Sequence, residues 1–448
     1  METVNIDKSL KTLLNRFDSY HPSRIDLTLD RIIRLLRSLG QPHLKLPPVI
    51  HVAGTNGKGS TIAFLRAIFE ASGLVVSAYT SPHLIQLKER FLLGGRTISN
   101  YDLYNLLNEV EIINDGKEIT EYEIITAAAF LSLSRTKADV VLLETGLGGR
   151  YDATNVVDKP ILTVITPISL DHEIFLGPDI ASISAEKAAI QKKDVPSVVA
   201  YQPTEAFNVI EDTALKVGAP VFRGGRDWFT QKKADSFIYK SKKTTLPLPI
   251  PNLIGFHQIQ NASTAIACIE MYKKIDLLDK NIANGLKNVN WPGRFMALPD
   301  GNLRKKLPKK WSIWLDAGHN EAAGKVLAKT VRQINTESLL PLHIIFCMLE
   351  DKDPSIFLRP FIKYASSITA VDLPDEPRSH NPQIASVALT KSGIKTGWDH
   401  SLEASLYNLS KTLNEAHILI CGSHAIVGAA LLINSKGTLG RAYSGVSS

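Results

Sequence analysis

The residues best placed to do chemistry begin at Gly54. The run Gly54-Thr55-Asn56-Gly57-Lys58-Gly59-Ser60 follows the apolar stretch Val49–Ala53 and opens a helix-period segment, Gly59–Ser72. A glycine-rich turn between a strand and a helix aims backbone N–H groups and the helix N-terminus at phosphate. Glycine is needed where the backbone must come close and take conformations that a Cβ forbids. Lys58 is then expected to reach the β- and γ-phosphates of a nucleotide, and the hydroxyl of Ser60 or Thr61 to help hold Mg²⁺. The spacing is not the common G-x-x-x-x-G-K-[ST]: only two residues separate Gly54 from Gly57, and Gly59 divides Lys58 from Ser60. A tight polar turn without ligand is the bland alternative, and the flanking strand and helix weigh against it.

Further polar groups stand where apolar runs end. Glu144 closes Val140–Leu143 and is followed by Gly146-Leu147-Gly148-Gly149-Arg150. A carboxylate at the C-terminal end of a parallel strand faces the crevice in which such sheets bind ligands; a surface acid capping the next turn is the alternative. Asp171-His172 follow the stretch Ile161–Ile165, and Asp316-Ala317-Gly318-His319-Asn320 repeat the strand-end pattern in the second half. Lys187 lies on a helix that Asp179 or Ser182 can cap, and by helical position alone it reads as an exposed lysine. Asn261 and Arg294 are polar residues beside loops, and periodicity gives them no role.

These groups need a scaffold, and the chain supplies an alternating one. Strands are predicted at Val49–Ala53, Val75–Tyr79, Val140–Glu144, Ile161–Ile165, Ser197–Tyr201, Ser312–Asp316, His343–Met348, Ser367–Val371 and Ile418–Cys421, with helical segments such as Gly59–Ser72 and Gln258–Lys273 between most of them. That alternation argues for an α/β protein with mostly parallel sheets covered on both faces. The chain has 448 residues, too many for one ordinary domain. The proline-rich stretch 226–256 reads as a strand-containing insertion. A boundary is placed near residue 298, giving an N-terminal P-loop-type domain over 1–297 and a smaller Rossmann-like α/β domain over 298–448.

Composition excludes several classes. No apolar run approaches membrane-spanning length, and Met1–Leu10 lacks the apolar core of a secretory signal, so a cytoplasmic protein without a membrane partner is expected. Cys268, Cys347 and Cys421 lie far apart in apolar stretches and read as buried thiols. The net charge of +7 suits anionic small substrates as well as nucleic acid. The basic runs Lys240–Lys243 and Arg304–Lys310 lack interleaved aromatics and read as solvated loops, so no nucleic acid partner is expected.

Together the motifs resemble the bifunctional dihydrofolate synthase/folylpolyglutamate synthase enzymes of the Mur ligase superfamily. The matching pieces, in the family's order over nearly the whole chain, are His51–Ser60, Thr80-Ser81-Pro82-His83-Leu84, Glu144–Arg150, Asp152-Ala153-Thr154-Asn155, Leu170-Asp171-His172, Glu186-Lys187-Ala188, His257–Ala262, Pro292-Gly293-Arg294-Phe295, Leu315–Asn320 and Asp351-Lys352-Asp353. The resemblance implies a monomeric ATP-dependent ligase that adds L-glutamate to dihydropteroate, to the glutamate tail of tetrahydrofolate, or to both, through an acyl phosphate. It implies ATP contacts at Gly54, Thr55, Asn56, Gly57, Lys58, Gly59, Ser60, Asn261, Arg294, Asp316 and His319, with Arg294 and Asp316 closing over the nucleotide. It implies two Mg²⁺ served by Ser60, Ser81, Glu144, His172 and Lys187, the last as a carbamate. Lys58, Lys187, His172 and Glu144 are thereby the catalytic set. Pterin contacts would fall on Ser23, Arg24 and Ile25, on Thr120, Tyr122 and Glu123, and on Tyr151, Asp152 and Ala153.

Cys347, Ala189 and Glu321 depart from the family's usual Gly, Gly and Pro, which bears on local geometry and removes no charged group. Competing readings are a monofunctional folylpolyglutamate synthase, a cell-wall Mur ligase, a P-loop switch and a non-catalytic folate-binding relic. The short stretch before Gly54 argues against the second, and the missing Asn-Lys-x-Asp motif and paired Walker acid against the third. Lys58, Glu144, His172 and Lys187 argue against the last.

Overall fold

The computed structural model describes residues 6–21, 27–272, 279–374 and 376–436. The chain divides into two compact units. One runs to Asn252 and includes Gln258–Val289; the other comprises Leu253–His257 and the chain from Asn290.

The first unit is built on an eight-stranded sheet. Its strands, in spatial order, are Arg96–Thr97, Phe91–Leu93, Val76–Tyr79, Val140–Glu144, Val49–Ala53, Leu162–Ile165, Ser197–Val199 and Val221–Arg223. The last six run parallel, and the first two form an antiparallel edge. Val49–Ala53 and Val140–Glu144 are buried at every position. This is why they read as mainly apolar runs, His51 and the terminal Glu144 apart: helices cover both faces, so neither face needs polar residues. Val52 pairs with both Glu144 and Val164, so three strands end together beneath the Gly54 loop. The helix after the Gly54 loop spans Lys58–Ala71, and Gly73 follows it at φ +83°.

The proline-rich insertion forms a three-stranded antiparallel sheet, Trp228–Lys232, Ser236–Ser241 and Thr245–Pro249, with Ser236–Ser241 central. Trp228, Phe237, Tyr239, Leu246 and Leu248 are its buried face.

The second unit carries a six-stranded sheet in the order Met296–Ala297, Lys310–Asp316, Glu415–Cys421, Leu342–Phe346, Ala365–Val371 and Gly397–Asp399, parallel except for the first edge strand. Phe295 stacks on Trp314 with ring centres 5.5 Å apart in a core that includes Leu327, Phe346 and Phe357. All three cysteines are buried and free.

The basic runs are not simply solvated loops. Lys240 lies within a strand. The Arg304 guanidinium donates to the carbonyls of Pro308, Lys309 and Trp311 at 3.0–3.1 Å, so a cation is used to close a turn. No described helix is long and apolar enough to cross a membrane.

Candidate active site

The Gly54 loop is shaped by what lies behind it. Gly54 has φ +147°, and a Cβ there would sit 1.9 Å from Thr166 Oγ1; Gly57 has φ +87°, and its Cβ would meet Asn261 Oδ1 at 2.6 Å. Both positions therefore exclude a side chain on backbone and on steric grounds. The N–H groups of Thr55 and Asn56 each donate to the Pro167 carbonyl at 3.1 Å. Asn56 Nδ2 donates to Ser169 Oγ at 3.0 Å, and Thr55 Oγ1 to the Ser169 carbonyl at 3.1 Å. The loop is thus held by residues 166–169, which the sequence reading did not single out. The first helical bond runs from Thr61 N–H to the Gly57 carbonyl, 2.8 Å. The amides of Lys58, Gly59 and Ser60 precede it and form the positive end of the helix, where an anion is favoured.

Two lysines converge on this loop. Lys58 Nζ and Lys187 Nζ each donate to the Gly54 carbonyl at 3.2 Å. Lys187 is buried, which corrects its reading as an exposed helical lysine. Its helix, Ile180–Ala188, is capped by Asp179, whose carboxylate accepts the Ser182 N–H at 2.7 Å. The helix is pressed onto the Gly-rich loop: a Cβ on Gly149 would lie 2.6 Å from the Glu186 carbonyl and 3.1 Å from Lys187 Cα. Burial, reinforced by the charge of Lys58, pushes the Lys187 ammonium down to about 7.

Glu144 and Ser81 meet across neighbouring strand ends, with Ser81 N–H donating to Glu144 Oε2 at 3.2 Å. Ser81 Oγ and Thr61 Oγ1 are buried without a hydrogen-bond partner. Among the described residues no three His, Cys, Asp or Glu side chains gather to cage a metal. The available donors are hydroxyls and one carboxylate. They fit Mg²⁺, a hard cation that keeps waters and takes phosphate oxygens. His172 adopts φ +52° at the start of the short helix Glu173–Leu176 and is half-buried, with Nε2 3.9 Å from Asp171 Oδ1.

Asp152 organises the loop after Glu144. Its Oδ2 accepts the N–H groups of Gly146 and Leu147 at 2.8 and 2.9 Å, and its Oδ1 accepts the Thr154 N–H at 3.0 Å and hydroxyl at 2.5 Å. Burial raises its pKa against these bonds. Tyr122 OH lies 3.4 Å from Asp152 Oδ1. Ala153 is buried and Tyr151 exposed. Thr120 and Glu123 form a capping box on the helix Glu121–Arg135, and Glu123 also pairs with Arg31 at 3.0 Å. Both side chains therefore already carry structural work. Ser23, Arg24 and Ile25 lie outside the described residues.

In the second unit Asp316 accepts the Phe295 N–H at 2.9 Å and the Gly318 N–H at 2.7 Å. These bonds bring the Arg294 turn against the end of the Lys310–Asp316 strand. Burial raises the Asp316 pKa while the Arg294 charge opposes it. His319 Nδ1 lies 2.9 Å from the Ala317 carbonyl, and Asn320 caps the helix Glu321–Ser338. Glu321 is accommodated in that first turn, paired with Lys325 at 2.6 Å. Ala189 is the C-cap of the Lys187 helix. Cys347 is buried, its N–H on the Cys421 carbonyl at 3.2 Å. In the first unit Asn261 Nδ2 donates to Gln258 Oε1 at 3.0 Å.

The Mur ligase middle domain family matches residues 52–269. The chain is 37% identical over 340 residues to a Bacillus subtilis dihydrofolate synthase/folylpolyglutamate synthase, covering 72% of this chain and 76% of that protein. Among solved structures it is similar to Escherichia coli FolC in complex with DHPP and ADP, with TM-score 0.83, 29% identity, and 95% of this chain and 97% of that one covered. It is equally similar to a Yersinia pestis bifunctional folylpolyglutamate synthase/dihydrofolate synthase complexed with AMPPNP and Mn ion, with TM-score 0.83, 29% identity, and coverage of 94% and 97%.

Proposed function

The chain belongs to the dihydrofolate synthase/folylpolyglutamate synthase family, and we propose that it joins L-glutamate to dihydropteroate, to the glutamate tail of tetrahydrofolate, or to both. It is an ATP-dependent glutamate ligase that works with a divalent cation. The acceptor carboxylate attacks the γ-phosphorus of ATP and ADP departs, leaving an acyl phosphate. The glutamate amine then attacks the acyl carbon, inorganic phosphate leaves with the bonding pair, and the amine loses a proton. This sequence asks the protein mainly for charge neutralisation and alignment.

Lys58 and the amides of Gly57, Gly59 and Ser60 hold the transferred phosphate, in a loop completed by Gly54, Thr55 and Asn56. Asn261, whose amide backs Gly57, contacts the nucleotide. Ser60, Ser81, Glu144 and His172 would hold Mg²⁺, which would supply neutralisation of phosphate charge. Lys187 completes this set as a carbamate: its neutral amine bonds to CO₂ and releases a proton, converting a cation into an oxygen donor. The depressed pKa of Lys187 supports that step by supplying neutral amine near pH 7. Tyr122, Asp152 and their neighbours Thr120, Glu123, Tyr151 and Ala153 take the acceptor.

The observation that carries this reading is the convergence of Lys58 and Lys187 on one carbonyl at the C-terminal edge of the parallel sheet. The test is ADP release measured with dihydropteroate or tetrahydrofolate as acceptor, each with and without glutamate. Sustained turnover that needs both acceptor and glutamate is expected. Hydrolysis of ATP at the same rate without either would overturn the reading.

A further inference from the structure

We propose that His51 is a positioning residue for the acceptor acid, acting through Thr154 on Asp152. The inference rests on the assignment of Asp152 to acceptor binding made above. His51 is fully buried on the Val49–Ala53 strand. Its Nε2 lies 2.8 Å from Thr154 Oγ1, which in turn lies 2.5 Å from Asp152 Oδ1.

Chemistry sets the direction of this chain. An ionised carboxylate only accepts, and a threonine hydroxyl has one proton to give. Thr154 therefore donates to Asp152 and accepts from His51, which must carry a proton on Nε2. Burial makes that ring neutral, in two ways. His51 Nδ1 is buried with no partner, so an imidazolium would bury an N–H that no side chain or backbone group accepts. Burial also holds the ring far below its ordinary range, at about 3.

The consequence lies at Asp152. Its backbone donors are fixed by the chain, but the Thr154 hydroxyl is a rotor. The His51 N–H removes that freedom and polarises the short Thr154–Asp152 bond. The carboxylate is thereby held in one orientation beside Tyr122. His51 touches neither nucleotide nor acceptor in this scheme, so its loss acts on acceptor affinity and leaves phosphate transfer intact.

The test is steady-state kinetics of the full chain, varying dihydropteroate at saturating ATP and glutamate and then varying ATP. His51→Leu and Thr154→Val are each expected to raise the dihydropteroate KM roughly 3- to 10-fold, as for loss of one hydrogen bond, with kcat and the ATP KM essentially unchanged. The double variant is expected to match Thr154→Val alone, and His51→Gln, which restores an N–H donor, to recover part of the loss. Should the leucine variant not fold, His51→Asn carries the same test, because its shorter side chain falls short of Thr154. Additive effects, or equal losses in kcat and both KM values, overturn the proposal. Asp152→Asn separates the layers. An unchanged acceptor KM there overturns the assignment of Asp152 and this inference with it. A raised KM in Asp152→Asn with none in His51→Leu overturns the inference alone.

Discussion

Lys58 and Lys187, far apart in sequence, place their ammonium nitrogens on the same acceptor, the carbonyl oxygen of Gly54, at 3.2 Å each. Two cations sharing one neutral acceptor repel each other, and the arrangement is eased by an arriving anion or by loss of one proton. In the proposed reaction a phosphate of ATP supplies the first, and the depressed ammonium of Lys187 allows the second.

Lys58→Ala is expected to lower kcat/KM on the order of 10²-fold or more, the scale of losing a charge-assisted contact to transferring phosphate. Unfolding midpoints should stay close to those of the parent, because Lys58 is only partly buried. Near-normal turnover with normal ATP affinity would remove Lys58 from the phosphate site.

Lys187 carries a pH signature. Its pKa is about 7 in the folded chain against an ordinary 10.5. Between those values the unfolded chain binds the extra proton, so stability rises with pH across that window, by roughly 1.4 kcal/mol per unit. Below about pH 7 the full cost of the buried ammonium is present. In the metal-free protein Lys187→Met should therefore melt higher than the parent at pH 6, by a margin that shrinks toward pH 10. A margin independent of pH would contradict the buried ammonium.

The carbamate is tested on activity. Lys187→Ala should lose most turnover, and a short carboxylate added in solution should restore part of it. Lys187→Arg should not rescue, since arginine keeps the charge and cannot form a carbamate; full activity in that variant would defeat the assignment.

Ser81→Ala separates metal binding from stability. Ser81 Oγ is buried without a partner, so its removal should shift unfolding by no more than about 0.5 kcal/mol. The Mg²⁺ concentration for half-maximal activity should rise on the order of tenfold. An unchanged Mg²⁺ requirement would take Ser81 out of the metal site.

Gly54→Ala should abolish nucleotide binding measured by calorimetry, because the added Cβ meets both the hydroxyl and the carbonyl of Thr166, at 1.9 and 2.9 Å. Adding Thr166→Ala should recover little, since the carbonyl contact and the positive φ remain. Full recovery in the double variant would show that the side-chain contact alone matters.

Much of this protein was legible in its residues taken singly. Local spacing suffices to place a glycine-rich turn between Val49–Ala53 and the helix after it, because strand, turn and helix are neighbours in sequence. Alternating apolar runs suffice for parallel sheets, because strands buried on both faces lose their polar residues. The family resemblance rests on the same contiguous motifs. What tertiary structure alone decided was solvent access and long-range pairing. The periodicity around Lys187 is that of a surface helix, and only the approach of the Gly149 backbone shows that the lysine is enclosed. Nothing near Gly54 in sequence announces Thr166 or Pro167, and nothing near His51 announces Thr154. Those contacts exist because parallel strands set distant loops side by side at one sheet edge. There, burial and shared hydrogen bonds assign protons and charges that no residue carries by its type alone.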